Sequence, residues 1–288
     1  MNKRDFLKAG IGFGVAGAVL AQTPAGRGQN APIPKAKAKT TRLFKSPGLY
    51  PNGLAAAPEG LWIAQQKTAD QIEQAGGNKD EECWLVDWNG KLLKTVTTHS
   101  RNTSGLAYGD GYIWMGANAA PFGIHQVDMN SKEISHRPIP LDIAPDAGGG
   151  GGCHGLQWRQ GKLWIAALRL GGLLRVDPKT WTPEVLIPAR SEEKPRLHDI
   201  TFDDEGNIWF VSGNNSTGMA DTKPGLVKLD GKTGRPLLTV DFAPDSCDPH
   251  GLEFHNGKLI SCDAGVHPNW KVMESPNAGY IFQIDILA

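Results

Sequence analysis

Three histidines, His154, His198 and His250, each open a stretch of the same form: a polar residue, then Gly or Asp, then Leu or Ile. Asn52 and Ser104 open two earlier copies. Neutral imidazoles brought to one point are the usual means of holding a divalent metal ion, and three of them leave positions for water or substrate. A metal so held would act as a Lewis acid on a carbonyl or carboxylate oxygen. The expected metal ligands are therefore His154, His198 and His250. Proton movement is expected from His198, Asp263 and His267. Asn52, Ser104, Asn214 and Trp270 complete the expected site as substrate contacts. The bland alternative is that each histidine only caps its strand by hydrogen-bonding the neighbouring repeat.

The elements that must position these residues are the repeats themselves. Five segments align: Asn52 to Trp62, Ser104 to Trp114, His154 to Trp164, His198 to Trp209, and His250 to Ile260. Each carries a turn glycine (Gly60, Gly111, Gly161, Gly206, Gly257) followed by a short apolar run, which predicts a two-stranded hairpin. A third strand ends each time in an apolar residue and Asp: Asp87, Asp128, Asp177, Asp230 and Asp285. In the first four copies that Asp precedes a turn, where a short carboxylate caps backbone amides. Four strands recurring every 44 to 52 residues predict an all-β fold, a single β-propeller of five four-stranded blades. A degenerate sixth blade hidden in the longer loops is the alternative. The Trp of each second strand is expected to pack between blades. The fifth unit ends after its third strand, so Thr40–Lys45 is expected to supply the fourth and close the ring.

In a propeller the first strands line the central channel, so the five opening positions would ring one mouth. The loops Gln65–Glu82, Gly213–Pro224 and Ala264–Ala278 fall at that mouth and would bring Asn214, Asp263, His267 and Trp270 to it. Gln157 and Glu253, three residues beyond their histidines, are expected to point away from the ring by period-two alternation. The run Gly148–Gly152 would allow close backbone approach to a ligand, or serve as a plain connection. No Lys-Ser/Thr follows it, so it is not a phosphate loop.

The 288 residues carry 30 Lys+Arg against 30 Asp+Glu, which gives no electrostatic footprint for nucleic acid. Gly 36, Pro 20 and nine Trp suit a turn-rich β protein with a sizeable core. There is no Gly-x-Ser-x-Gly elbow, and the four cysteines form no CxxC. Cys247 and Cys262 flank a hairpin and are the best candidate disulfide pair, with free buried thiols the alternative. Residues 1–21 join Lys3, Arg4 and Lys8 to the apolar run Ala9–Ala21, the form of a cleavable export signal. The stretch Asn2 to Lys8 is similar to a twin-arginine signal with Lys3 in the first arginine's place, and general secretion remains the other route. Residues 22–39 read as a flexible tether and 40–288 as the propeller. A periplasmic or secreted monomer, not inserted in a membrane after signal cleavage, is expected.

The stretch His198-Asp-Ile-Thr-Phe-Asp-Asp-Glu-Gly-Asn-Ile-Trp-Phe resembles the repeat of virginiamycin B lyase. The mature chain is similar to the wider group of SMP-30/gluconolactonase and NHL-repeat propellers. The resemblance implies a metal-assisted lyase or lactone-type hydrolase acting on a small organic molecule. In the gluconolactonase group a Glu-Gly-Pro-x-Trp segment binds the metal, and Ala57 to Trp62 echoes it with Glu59 in a hairpin turn. A non-catalytic propeller that binds a ligand or a protein is the other reading.

Overall fold

The computed structural model describes residues 32–67, 72–73, 76–142, 152–194, 196–213, 224–265 and 274–287. The expected export signal lies outside them. Strands β2 (Pro51–Ala57), β3 (Gly60–Gln65), β4 (Glu81–Val86) and β5 (Leu92–Thr98) form the first antiparallel sheet in chain order. The second holds β6 (Thr103–Gly109), β7 (Tyr112–Ala117), β8 (Gly123–Val127) and β9 (Glu133–Arg137). The third holds β10 (Cys153–Arg159), β11 (Lys162–Ala167), β12 (Gly172–Val176) and β13 (Pro183–Pro188). The fourth holds β14 (Ile200–Phe202), β15 (Ile208–Ser212), β16 (Gly225–Leu229) and β17 (Pro236–Phe242). The fifth has only three consecutive strands, β18 (Leu252–His255), β19 (Lys258–Cys262) and β20 (Tyr280–Leu287). The first strands touch in cyclic order, β2, β6, β10, β14, β18 and back to β2, so the blades are five.

Strand β1 (Lys35–Lys45) completes the fifth blade by pairing antiparallel with β20 from Lys37–Leu287 to Lys45–Tyr280. It begins earlier than the sequence suggests. Lys35–Ala38 also pair in parallel with Thr239–Phe242 of β17, fusing blades four and five into one eight-stranded sheet. Lys35–Lys39 therefore belong to the sheet and not to a tether. Their Lys-Ala alternation follows the two faces of the strand: Lys35, Lys37 and Lys39 are exposed, while Ala38 is fully buried between the two blades.

Each repeat feature has its expected use. Gly111, Gly161, Gly206 and Gly257 turn their hairpins at φ between 71° and 84°, a region that favours glycine. Asp87, Asp128, Asp177 and Asp230 each accept two backbone amides of the following turn. Asp285 has no turn to cap and instead accepts the Thr41 hydroxyl of β1 at 3.1 Å. The tryptophans sit between blades: Trp114 lies 5.8 Å from Trp158, and Trp164 lies 5.0 Å from Phe202. Glu59 is exposed in its hairpin turn.

All four cysteines are free and buried, so the Cys247–Cys262 pairing is not formed. Cys262 instead accepts the Gly251 amide at 3.2 Å and donates to the Pro51 carbonyl at 3.3 Å, stitching blade five to blade one. Burial raises its thiol well above the usual range, and raises that of Cys247 to about 11. Among the described residues no helix is long and apolar enough to cross a membrane.

Candidate functional site

Two levels of polar side chains line the channel. The upper one is the expected ring. The His154 and His198 rings lie 4.7 Å apart, and those of His198 and His250 lie 5.0 Å apart nearly edge to face. His198 and His250 are almost completely buried and His154 is half-buried. Asn52 and Ser104, both buried, close the ring: Asn52 Nδ2 donates to Ser104 Oγ at 3.2 Å and to Gln66 Oε1 at 2.7 Å. The sequence thus brings all five opening positions to one place.

The hydrogen bonds distinguish the three imidazoles. His198 Nδ1 faces the His250 carbonyl at 2.9 Å, and His250 Nδ1 faces the Asp248 carbonyl at 3.4 Å. An N–H donated from Nδ1 leaves Nε2 of both rings as a lone-pair acceptor, the orientation seen in metal-binding and basic histidines. His154 is engaged the other way, with Asn118 Nδ2 2.6 Å from its Nε2. Its Nδ1 is buried without a completed hydrogen bond, although the Leu197 backbone lies close enough to favour the protonated ring. A second buried atom without a partner, Asn52 Oδ1, belongs to the same ring.

All three rings are held neutral. Burial and then the Arg196 guanidinium push His154 and His250 down to about 3, and push His198 well below the ordinary imidazole range. Arg196 is half-buried, and its own pKa is lowered by burial, which Asp248 opposes. It stands just before His198, two residues along, where the chain enters blade four. A side chain at Gly213 would meet the Pro249 carbonyl at 2.5 Å, so this glycine lets the end of β15 pass close to the segment that leads into His250. Sequence reasoning passed over both Arg196 and Asn118, because neither falls at an opening position.

The lower level corrects an expectation. Glu253 and Gln157 do not point away from the channel; they meet in it. Glu253 Oε1 lies 3.3 Å from Gln157 Nε2 and 3.4 Å from the Thr201 hydroxyl, and Oε2 accepts the Ala56 amide at 2.7 Å. Both strands are offset just after their histidine: before β18 the His250 amide donates to the Cys262 carbonyl, one residue out of step with the Leu252–Ser261 pair. The pairing shifts between Cys153 and Leu156 in β10, with matching shifts in β2 and β6. One extra residue reverses the alternation, so positions three apart fall on the same side.

Between the two levels stands Asp199, fully buried, where the other four blades have Gly53, Gly105, Gly155 and Gly251. Its Oδ2 accepts the Leu252 amide at 2.8 Å and its Oδ1 the Ile200 amide at 2.9 Å, with the Leu54 amide also close. A Cβ on Gly155 would sit 2.6 Å from Asp199 Oδ1, so that glycine makes room for the carboxyl. Burial raises the pKa of Asp199 well above the carboxylate range and raises that of Glu253 as well.

Asp263 is buried near the mouth, but both its oxygens hold loops: Oδ2 accepts the Asp248 amide and Oδ1 the Gly265 amide, at 2.9 and 2.8 Å. Asn214, His267 and Trp270 lie outside the described residues, as do residues 148–151 of the glycine run. Gly152 packs against the end of β7, where a Cβ on it would sit 2.6 Å from Asn118 Oδ1. Among the described residues no group of three or more His, Cys, Asp and Glu side chains is arranged to hold a metal ion.

No family model and no curated protein matches this chain. Among solved structures, the glutaminyl cyclase of Myxococcus xanthus aligns over 89% of this chain and 98% of its own, with TM-score 0.56 and 12% identity. A luciferin-regenerating enzyme aligns over 82% and 76%, with TM-score 0.44 and 14% identity. A Bacteroides caccae protein of unknown function aligns over 76% and 72%, with TM-score 0.45 and 15% identity. The likeness to the glutaminyl cyclase is one of fold. At such identities the likeness is one of architecture, and the chemistry must be argued from the site.

Proposed function

We propose that this chain is an exported enzyme that acts on a small organic acid, or on its lactone, at the histidine mouth. The reaction would be lyase or lactone-type hydrolytic chemistry, in keeping with the resemblance to the SMP-30/gluconolactonase and virginiamycin B lyase propellers. One observation carries the reading: three imidazoles from three consecutive blades touch at the mouth, held neutral beside a guanidinium. Two of them keep an Nε2 lone pair for a ligand. The fold neighbour named a glutaminyl cyclase supports it to the extent that this architecture serves an enzyme elsewhere.

Arg196 would receive the carboxylate or developing negative charge of the substrate. The same charge would offset the field of the guanidinium on the rings and raise the basicity of His198 and His250 toward the working range. His198 Nε2 would then take a proton from substrate or water, while its Nδ1–H stays on the His250 carbonyl and fixes the tautomer. Asn52 Oδ1 and His154 Nδ1 would orient the substrate through its hydroxyl groups. In the metal-assisted form of this reading, His198 and His250 would hold a divalent ion through Nε2. His154 fits less well, since Asn118 engages its Nε2. The ion, when bound, would supply polarisation of a carbonyl oxygen.

The test is turnover of a panel of aldonolactones and hydroxy acids by the purified protein, with elemental analysis of the same sample. His198→Gln, His250→Gln and Arg196→Gln should each lower kcat/KM by about 100-fold or more, the usual scale for an acid–base or charge-stabilising group. Full activity in all three variants would remove the site. The second reading, a ligand-binding propeller without catalysis, is favoured by Asp263, whose two oxygens are committed to loop amides. Saturable binding of the same acids without turnover would select it.

A further inference from the structure

A second cleft lies on the opposite face of the ring, where strands β10 and β14 end. It has a volume of about 450 Å3 and opens between blades three and four. Its lining includes four cations, Arg159, Lys162, Arg175 and Lys232, and one carboxylate, Glu184. Two of the cations are already neutralised. Lys162 bridges Asp177 and Glu184 at 2.7 and 2.5 Å, and Arg175 Nε meets Glu184 at 3.0 Å. Arg159 and Lys232 remain, and neither faces a carboxylate of the lining. The nearby Asp203 is taken by Lys228 at 2.9 Å.

Arg159 is fixed by stacking. Its guanidinium lies over the Phe202 ring at 4.7 Å, Phe202 packs on Trp164, and Arg175 covers the Trp164 ring at 5.6 Å. Cations thus lie over both aromatic rings of the lining, Phe202 and Trp164. The Arg159 fork makes a long hydrogen bond at 3.5 Å, to the Asp203 carbonyl. Gly206 and Gly231 keep the floor low: a Cβ on Gly206 would come within 3.4 Å of Arg159, and one on Gly231 would strike the Gly206 carbonyl.

We propose that this cleft binds a small molecule through a tetrahedral dianion, a phosphate or sulfate group, on the fork of Arg159 and the ammonium of Lys232. Two uncompensated positive charges match a doubly charged group, and a planar guanidinium fixed by stacking is suited to grip two of its oxygens. The volume left beyond such a group accommodates an organic body. The site is separate from the histidine mouth, so its fate does not depend on the activity proposed there.

Calorimetric titration of the full protein with inorganic phosphate and with sodium sulfate, at low and constant ionic strength, tests this. Saturable binding of phosphate at pH 8 is expected, weakening several-fold at pH 6 where the monoanion prevails, while sulfate binding stays flat over that range. Arg159→Gln should weaken phosphate at least 10-fold, and Lys232→Gln about 3-fold. Lys232 is exposed, so its variant reports on the cleft even where Arg159→Gln disturbs the stack. Absence of saturable binding, or binding that Lys232→Gln and a folded Arg159→Gln leave unchanged, overturns the proposal.

Discussion

The two levels of the channel are built from the same strands, a few residues apart, yet they treat their polar groups in opposite ways. In the lower level each carboxyl oxygen of Asp199 and Glu253 is met by a backbone amide or a side-chain donor from another blade or its own strand. In the upper level Asn52 Oδ1 and His154 Nδ1 stay without partners, and a guanidinium faces three imidazoles. Full satisfaction is the mark of a structural staple; a buried shortfall at a channel mouth is the mark of a ligand site. Polar residues in a propeller channel are thus sorted by their hydrogen-bond ledger and not by their type.

The contrast extends to pH, with opposite signs. The imidazoles have folded pKa values below the unfolded value, so the unfolded chain binds protons first as pH falls. Their contribution to stability is complete above about 6.5 and drains away as pH drops toward 3. By pH 5 each costs up to about 2 kcal/mol, on the order of 5 kcal/mol for the three together. Asp199 and Glu253 have raised folded pKa values, so their contribution is greatest at low pH and falls as pH rises through those values. Denaturant unfolding between pH 4 and 9 should therefore show a loss on acidification that flattens in His250→Gln, and an opposing loss as pH rises above the unfolded carboxylate range, near about 4, that is absent in Asp199→Asn. Coincident curves for wild type and both variants would break the comparison.

Smaller effects sharpen it. Glu253→Ala strands the Ala56 amide, Gln157 and Thr201 together and should cost about 3–4 kcal/mol, measured by urea unfolding at pH 7. Asp199→Gly restores the residue found in the other four blades but leaves the Leu252 amide unpaired, for about 2 kcal/mol. Asp199→Asn keeps one acceptor but sets its NH2 against the other backbone amide, and should cost about 1–2 kcal/mol at pH 7. His154→Gln at the mouth should fall within about 0.5 kcal/mol of wild type at pH 7.5 and become stabilising at pH 5. A large loss there at pH 7.5 would mean that the mouth is as structural as the level below.

Much of this molecule is legible in its sequence. Five turn glycines, four inter-blade tryptophans and five strand-end aspartates are repeat features, and repetition makes a local signal robust. The opening positions Asn52, Ser104, His154, His198 and His250 were found by register alone. What escaped had local causes. Glu253 and Gln157 were assigned the wrong side because a bulge reverses the strand parity, and no residue type announces it. Asp199 was read as a variant of a glycine position, although a carboxyl in a run of apolar strand residues is itself a signal of a buried anchor. Arg196 and Asn118 reach the mouth from loop and strand ends of neighbouring blades, a relation set by tertiary packing. The Lys-Ala alternation before Thr40 reads as a linker because a strand of small and charged residues lacks an apolar run, and its pairing with both β17 and β20 is set by tertiary contact.

The central claim is that His154, His198 and His250 form one buried cluster held neutral by desolvation and by Arg196. Nitrogen-detected NMR of the histidine rings from pH 3.5 to 8, in wild type and in Arg196→Gln, tests it most directly. The account predicts that none of the three titrates above about pH 4, that His198 and His250 carry their proton on Nδ1, and that all three pKa values rise in Arg196→Gln. Titration of these rings near 6.5, or values indifferent to Arg196→Gln, would contradict it.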